Sequence, residues 1–247
     1  MTPLMNAATL TLRDVSVYRA SEDGVRRPVI SGLSLRIPAG QRCMLVGPNG
    51  AGKTSLLLAL VGALPFSGEI SLGETALCAK SLQAIRRRVG FVFANPDEQL
   101  FCETVWDEIA FGPRQLDLPQ AEVEQRVQHA LNDVALPHHA HKNPHQLSLG
   151  EQRRVAVAAA LAMHPEVILF DEPTANLDPV ARHTILRVLA HAQATVIMAS
   201  HDLQAALALG ATVALLNDGR LLACGDGRTL LADDRLLIEA GLALPDH

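Results

Sequence analysis

No run of apolar residues in this 247-residue chain approaches the roughly 20 that a membrane-spanning helix requires. The longest, over residues 155–163, is alanine-rich and reads as a buried helix. Residues 1–12 have neither a basic start nor a continuous apolar stretch, so no secretory signal is expected. Basic residues are in deficit: 21 Lys and Arg against 26 Asp and Glu give a formal net charge of −5, which leaves no positive footprint for nucleic acid. Cys43, Cys78, Cys102 and Cys224 are scattered, with no CxxC pair. Two of them lie in apolar strand-like segments, which fits reduced, buried thiols. Internal repeats, low-complexity tracts and flexible linkers are missing as well. What remains reads as a cytoplasmic, soluble protein, 49% apolar, with length for one large α/β domain or two small ones.

What is present is an alternation of short apolar strands with helices. Residues 10–12 and 33–37 alternate in strand fashion, with a turn at 21–24 between them. Residues 42–46 form an apolar run that feeds a glycine-rich loop and then a helix over about 53–61. A buried strand is expected at 88–93. Residues 96–113 are turn-rich, with a short helix over 105–111. Val123, Val127, Leu131 and Val134 recur at helical spacing within 118–136, and Pro119, Glu122 and Glu124 suit the start of that helix. A second helix follows Ser148. Then come a strand (167–170), a helix (179–191), a strand (195–199), a helix (203–209), a strand (212–216) and, after a hairpin turn at Asn217-Asp218-Gly219, a strand at 220–224. Such alternation argues for an α/β fold with a largely parallel sheet. The helical block over about 95–163 interrupts it and reads as a subdomain inserted in one domain. The core is then about 1–94 and 164–226, with a tail at about 227–247.

Gly47-Pro48-Asn49-Gly50-Ala51-Gly52-Lys53-Thr54 fits G-x-x-x-x-G-K-[ST] and lies between an expected strand and an expected helix. Glycines there let consecutive N–H groups turn inward on phosphates at a helix N-terminus. Lys53 is expected to reach the β- and γ-phosphates of a nucleoside triphosphate, and the Thr54 hydroxyl to bind Mg²⁺. The apolar run 167–170 ends in Asp171-Glu172. A buried parallel strand delivers carboxylates at its C-terminal end beside the phosphate loop. Asp171 is the candidate for holding Mg²⁺ through water, and Glu172 for the base that polarises the attacking water. Alone, Asp-Glu-Pro is better explained by a helix N-cap before a turn at Pro173; after a phosphate loop the catalytic reading prevails. His201, at the end of the 195–199 strand, is the candidate for contacting the γ-phosphate and orienting the water. Asp202 suits the N-cap of the next helix.

These segments, with Leu147-Ser148-Leu149-Gly150-Glu151 and Asn176-Leu177-Asp178 in order between them, make the chain resemble an ATP-binding subunit of the ABC superfamily over essentially its whole length. The resemblance implies a P-loop core with a parallel sheet, an N-terminal antiparallel β subdomain and an inserted helical subdomain. It implies that Ser148, Leu149, Gly150 and Glu151 cap a helix whose N-terminus points at the γ-phosphate held by a second ATPase subunit, in a homodimer or heterodimer. Asp178 is assigned to communication across that dimer, Ser55 to nucleotide binding beside Thr54, and Tyr18 to stacking on adenine; an ordinary strand aromatic is the other reading of Tyr18. The chain departs from the family twice. Leu149-Gly150-Glu151 stands where Gly-Gly-Gln is usual, and Ala94 stands where the family has a Gln that ligates Mg²⁺ and senses the transporter. Gln99 is the candidate replacement.

Asn95-Pro96-Asp97-Glu98-Gln99-Leu100-Phe101, then Thr104-Val105 and residues 109–113, resemble the ATPases of energy-coupling-factor importers of vitamins and transition-metal ions. That resemblance implies a peripheral place on the cytoplasmic face of the membrane, with a membrane coupling protein and a substrate-capture membrane protein as partners. Leu100, Phe101, Val105, Trp106 and Phe111 would line the groove for the coupling protein's helices, or pack the subdomain's own core. Residues 236–245 also resemble that group, in which the tail assists dimerisation. His138, His139, His141 and His145 read as a solvated loop rather than a metal site. A soluble ABC ATPase of DNA repair or translation is the competing class; the single cassette, the modest insertion and the acidic balance speak against it. An ATP-binding module without turnover is the third reading, and Glu172 and His201 argue against that.

Overall fold

The computed structural model describes residues 7–20 and 24–242, so the expected turn at 21–24, apart from Gly24, and the last residues of the tail lie outside it. In chain order, β1 (Leu10–Ala20), β2 (Arg26–Ile37) and β3 (Arg42–Val46) lead into α1 (Lys53–Leu60). Then come β4 (Phe66–Leu72), β5 (Thr75–Ala76), α2 (Leu82–Arg86) and β6 (Val89–Val92). Three helices follow: α3 (Val105–Gln115), α4 (Gln120–Asp133) and α5 (Leu149–Ala162). The chain continues through β7 (Val167–Asp171), α6 (Pro179–His191), β8 (Thr195–Ala199), α7 (Leu203–Leu209), β9 (Thr212–Asn217) and β10 (Arg220–Asp226). Helices α8 (Gly227–Leu230) and α9 (Asp234–Glu239) complete it.

Two sheets result. Strands β2-β1-β4-β5 form an antiparallel sheet, and β10-β9-β3-β8-β7-β6 a second one, parallel except for the β9–β10 hairpin at its edge. The hairpin follows from its turn: Asp218 and Gly219 both have positive φ, 45° and 71°, which matches the twist of paired strands. The central strands are continuous apolar runs because both faces are covered. Along β7, Ile168 and Phe170 join a core shared with α3 to α7, while Val167 and Leu169 join one shared with α1 and the antiparallel sheet. Met44 and Val46 of β3 face the first core, and Cys43 and Leu45 the second. This is the mixed-sheet architecture with antiparallel N-terminal strands and a helical insertion that the resemblance implies.

The structure differs from expectation in three places. Helix α3 runs on to Gln115 through Pro113, so residues 105–115 are more ordered than their turn-rich composition suggests. Its start is fixed by Thr104, whose hydroxyl accepts from Asp107 N at 3.1 Å. Strands β4 and β5 and helix α2 were not anticipated; β4 is held by long-range pairing with β1, Leu10 opposite Leu72 and Val17 opposite Phe66. Of the cysteines only Cys43 is buried; Cys224, on the edge strand β10, is exposed. No helix among the described residues is long and apolar enough to cross a membrane.

Candidate active site

The phosphate loop is shaped by what surrounds it. A Cβ on Gly47 would stand 2.1 Å from the carbonyl oxygen of Leu216, so only hydrogen lets the chain leave β3 there. Gly52, the N-cap of α1, has φ of +94°, and a Cβ there would meet Val29 O at 2.6 Å. The loop therefore ends at a helix N-terminus whose free N–H groups and dipole favour an anion. Lys53 turns its ammonium back over the loop and donates to Gly47 O at 2.6 Å and Pro48 O at 3.0 Å. Burial pulls its pKa down from the ordinary lysine value, and the carboxylates of Glu172 and Asp171 oppose that shift. Asn49 and Gly50 are exposed at the tip, while Ala51 and Ser55 are buried beside the first turn of α1.

Asp171 ends β7 beside that turn, and Thr54 Oγ1 donates to its Oδ1 at 3.0 Å. Burial pushes the Asp171 carboxyl up from its ordinary value; the Thr54 hydrogen bond works against this, and neighbouring Glu172 adds to it. A buried carboxylate and a hydroxyl, both hard oxygen donors at one edge of a phosphate loop, fit a Mg²⁺ ion. The metal would be held by Thr54 and Asp171, and when bound it would neutralise charge on the phosphates.

Glu172 takes a positive φ of 48°, uncommon for a residue with a side chain, and its N–H donates to Ala199 O of β8 at 2.8 Å. Its Oε2 accepts from Ser200 Oγ at 3.1 Å and lies 3.1 Å from His201 Nδ1. The carboxylate is thus held at the C-terminal ends of β7 and β8, with His201 exposed to solvent. Asp202 caps α7, accepting from Ala205 N at 2.9 Å, and is gripped by Arg182 of α6 at 2.8 Å and by Thr174 Oγ1 at 3.0 Å. The segment Ser200-His201-Asp202 stands out in the sequence, but a separate role for Ser200 does not. Sequence reading missed one group altogether. Arg153, a buried arginine in an otherwise alanine-rich helix, donates from Nη1 to Glu172 O at 3.1 Å and Phe93 O at 3.3 Å.

The remaining candidates fall elsewhere. Ser148 is the N-cap of α5 and closes a capping box with Glu151. Leu149 is exposed, and Gly150 is buried against α6, where a Cβ would stand 2.9 Å from Ala181 Cβ and 3.0 Å from Asp178 Oδ2. Asp178 caps α6, accepting from Val180 N at 2.9 Å and Ala181 N at 3.0 Å. None of the hydrogen bonds that Ser148 or Glu151 makes among the described residues reaches Lys53, Thr54, Asp171 or Glu172. Tyr18 sits on β1 opposite Pro28, one residue from the Val29 carbonyl that backs Gly52, and its hydroxyl bonds Ser67 Oγ at 3.2 Å.

Gln99 is turned inward. Its Oε1 accepts from Phe93 N at 3.2 Å and its Nε2 donates to Ala156 O at 3.1 Å. Both amide atoms join backbone to backbone, and a metal would have to displace one of these bonds. His138, His141 and His145 are exposed, with His145 3.9 Å from Asp97; His139 is half-buried, 3.2 Å from Glu151. No group of three or more His, Cys, Asp or Glu among the described residues is placed to hold a metal ion.

Comparison with known proteins identifies the family. A family model described as ABC transporter matches residues 30–175. The chain is 42% identical to the cobalt import ATP-binding protein CbiO of Rhodobacter capsulatus, over 99% of this chain and 86% of that one. It is 41% identical to the energy-coupling factor transporter ATP-binding protein EcfA of Methanothermobacter thermautotrophicus, over 96% and 76%. The solved structure of cbiO1 from Clostridium perfringens, part of the ABC transporter complex cbiONQ, superposes with a TM-score of 0.79 at 31% identity, covering 96% of this chain and 95% of that one.

Proposed function

The chain belongs to the ATP-hydrolysing subunits of the ABC transporter family, and on that premise we propose that it powers an importer of energy-coupling-factor type that carries a vitamin or a transition-metal ion. The observation that carries the catalytic part is the convergence of Lys53, the Thr54–Asp171 pair and the Glu172–Ser200–His201 group at the C-terminal ends of β3, β7 and β8. The importer type rests on the relatives' names and on the segment from Asn95 to Pro113.

In this reading ATP lies with its phosphates on the loop from Gly47 to Thr54, Lys53 exchanging Gly47 O and Pro48 O for phosphate oxygens. Tyr18 flanks the adenine. Glu172 Oε2 is already engaged by Ser200 and His201, so Oε1 is the atom left to receive a proton from the attacking water. As the water oxygen bonds to the γ-phosphorus, the bond to the β-phosphate oxygen breaks, and ADP and phosphate result. His201 orients the water and meets the γ-phosphate. A second ATPase subunit closes the site with Ser148 and Gly150, and Asp178 reports closure to its neighbour through the cap of α6. The difference in ATP affinity between closed and open dimers is then available as work on a membrane coupling protein. Phe101 and Phe111, 64% and 44% exposed and stacked edge to face at 5.0 Å, offer that protein an apolar surface. A substrate-capture membrane protein selects the cargo, and the ATPase sits peripherally on the cytoplasmic face of the membrane.

The test is purification of the tagged, full-length protein from native membranes in mild detergent. A stoichiometric membrane coupling protein, a small capture protein and a bound vitamin or metal ion are expected. Recovery only as a free ATPase, with membrane extracts leaving its turnover unchanged, overturns the importer assignment and leaves the catalytic one standing.

A further inference from the structure

The turn at the start of α5 carries a charge that the site has to accommodate. Ser148 N and Ser148 Oγ both donate to Glu151 Oε2, each at 2.9 Å, while Glu151 N donates to Ser148 Oγ at 3.4 Å. The hydroxyl has one proton, and the carboxylate holds it. A phosphate arriving at this helix N-terminus meets an anion that occupies its donors and repels it. The second carboxylate oxygen, Oε1, lies 3.2 Å from His139 Nε2. His139 stands in the loop between α4 and α5, and its Nδ1 is buried with no partner, so Glu151 is the ring's one polar contact among the described residues. Two other charged groups lie beside Gly150 in the same turn. Arg154 is turned away, donating to Val134 O at 3.0 Å and Ala135 O at 3.3 Å, and Asp178 is committed to the cap of α6.

We infer that His139 is a positioning residue for the site shared between two subunits: by donating to Glu151 Oε1 it draws the carboxylate back along α5 and lets the Ser148 hydroxyl turn to the partner's nucleotide. The inference rests on the sandwich-dimer reading above. A neutral Gln at position 151 would hold the Ser148 proton weakly and would make the histidine dispensable. The chain instead has a carboxylate with a ring nitrogen set against its far oxygen.

The experiment is a double-mutant cycle on the full-length protein, made in a Glu172→Gln background to prevent turnover, with the ATP-driven dimer measured by sedimentation. Expected is that His139→Ala weakens the dimer about tenfold, the scale of one charge-assisted hydrogen bond, and that His139→Gln, which keeps a side-chain N–H, restores most of it. With Glu151→Gln also present, His139→Ala should cost nothing further. Binding of ATP to the dilute monomer should be the same with and without His139, and a thermal melt checks that each variant folds. Equal dimerisation with and without His139, or a His139→Ala loss that persists unchanged beside Glu151→Gln, overturns the assignment while the sandwich reading stands. If the Glu172→Gln parent itself forms no ATP-driven dimer, the sandwich reading fails and this inference with it.

Discussion

Arg153 and Glu172 are joined through the backbone: the guanidinium on α5 donates to the Glu172 carbonyl at 3.1 Å, and the same nitrogen reaches Phe93 O at 3.3 Å. One buried cation therefore pins the turn after β7 to the end of β6 and to the inserted helices. Burial pulls its pKa down from the ordinary arginine value, and the carboxylates of Asp171 and Glu172 oppose that shift. Arg153→Ala should lower the unfolding free energy by about 2–4 kcal/mol, since it strips two carbonyls of a charged donor and leaves a void. It should also reduce kcat more than KM, because the Glu172 turn, at φ 48°, loses a restraint. Urea denaturation with a steady-state ATPase assay checks both. A variant with normal stability and turnover would show that the bridge is incidental.

Glu172 has two supports for one oxygen, and their removal separates roles. Glu172→Gln should lower kcat by about a hundredfold or more while ATP is still bound, as expected when a general base is replaced by an amide. Ser200→Ala should cost less, about tenfold, because His201 still faces the same oxygen at 3.1 Å. Single-turnover hydrolysis with nucleotide-binding measurements distinguishes these losses from failure to bind. A Glu172→Gln enzyme at full rate would remove the base assignment.

How far the chain could be read without its structure followed the range of the interactions concerned. Gly47 to Thr54 and the run into Asp171-Glu172 are local: the glycines, the lysine and the carboxylates sit within a few residues of the strand ends that present them. Strand β4 was invisible for the opposite reason. Phe66-Ser67-Gly68-Glu69 does not alternate, and it becomes a strand only by long-range pairing with β1, Val17 opposite Phe66 and Arg13 opposite Glu69. Arg153 reaches Phe93 across 60 residues, and the bond from Ser200 to Glu172 spans 28, so neither contact follows from motif spacing even though Ser200 itself adjoins His201. Gln99 could be noticed as an amide near the vacated position Ala94, but nothing in the sequence said that both its amide atoms would be taken by Phe93 N and Ala156 O.

Phe101 and Phe111 remain largely exposed while Leu100, Val105 and Ile109 around them are buried, so the two readings of this segment divide by residue: some side chains pack the insertion and two face outward. Replacing both exposed phenylalanines by Ser should leave the melting temperature within a few degrees, the usual range for surface changes. Recovery of the membrane coupling protein should drop about tenfold, as expected when aromatic anchors are lost from an interface. Quantitative immunoblotting of purified membranes reads this directly. Undiminished recovery would place the docking surface elsewhere on the molecule.

Strong acid should weaken the cap that Glu151 forms on α5. Hydrogen bonds from the Ser148 N–H and hydroxyl hold its carboxyl below the ordinary glutamate value, with His139 and Arg154 pulling in the same direction. A carboxyl whose folded pKa is depressed binds fewer protons in the native state than in the unfolded chain. Its contribution is therefore present in full above the unfolded value, about 4.3, and is lost as pH falls through the lower folded value. Glu151→Gln keeps a capping amide but cannot titrate. The stability difference between parent and variant should stay constant from about pH 7 to pH 5 and shift against the parent below about pH 4.3. Thermal or urea unfolding at a series of pH values, at fixed ionic strength, follows this difference. Parallel curves down to pH 3 would mean that the capping box of α5 is not formed by an ionised Glu151.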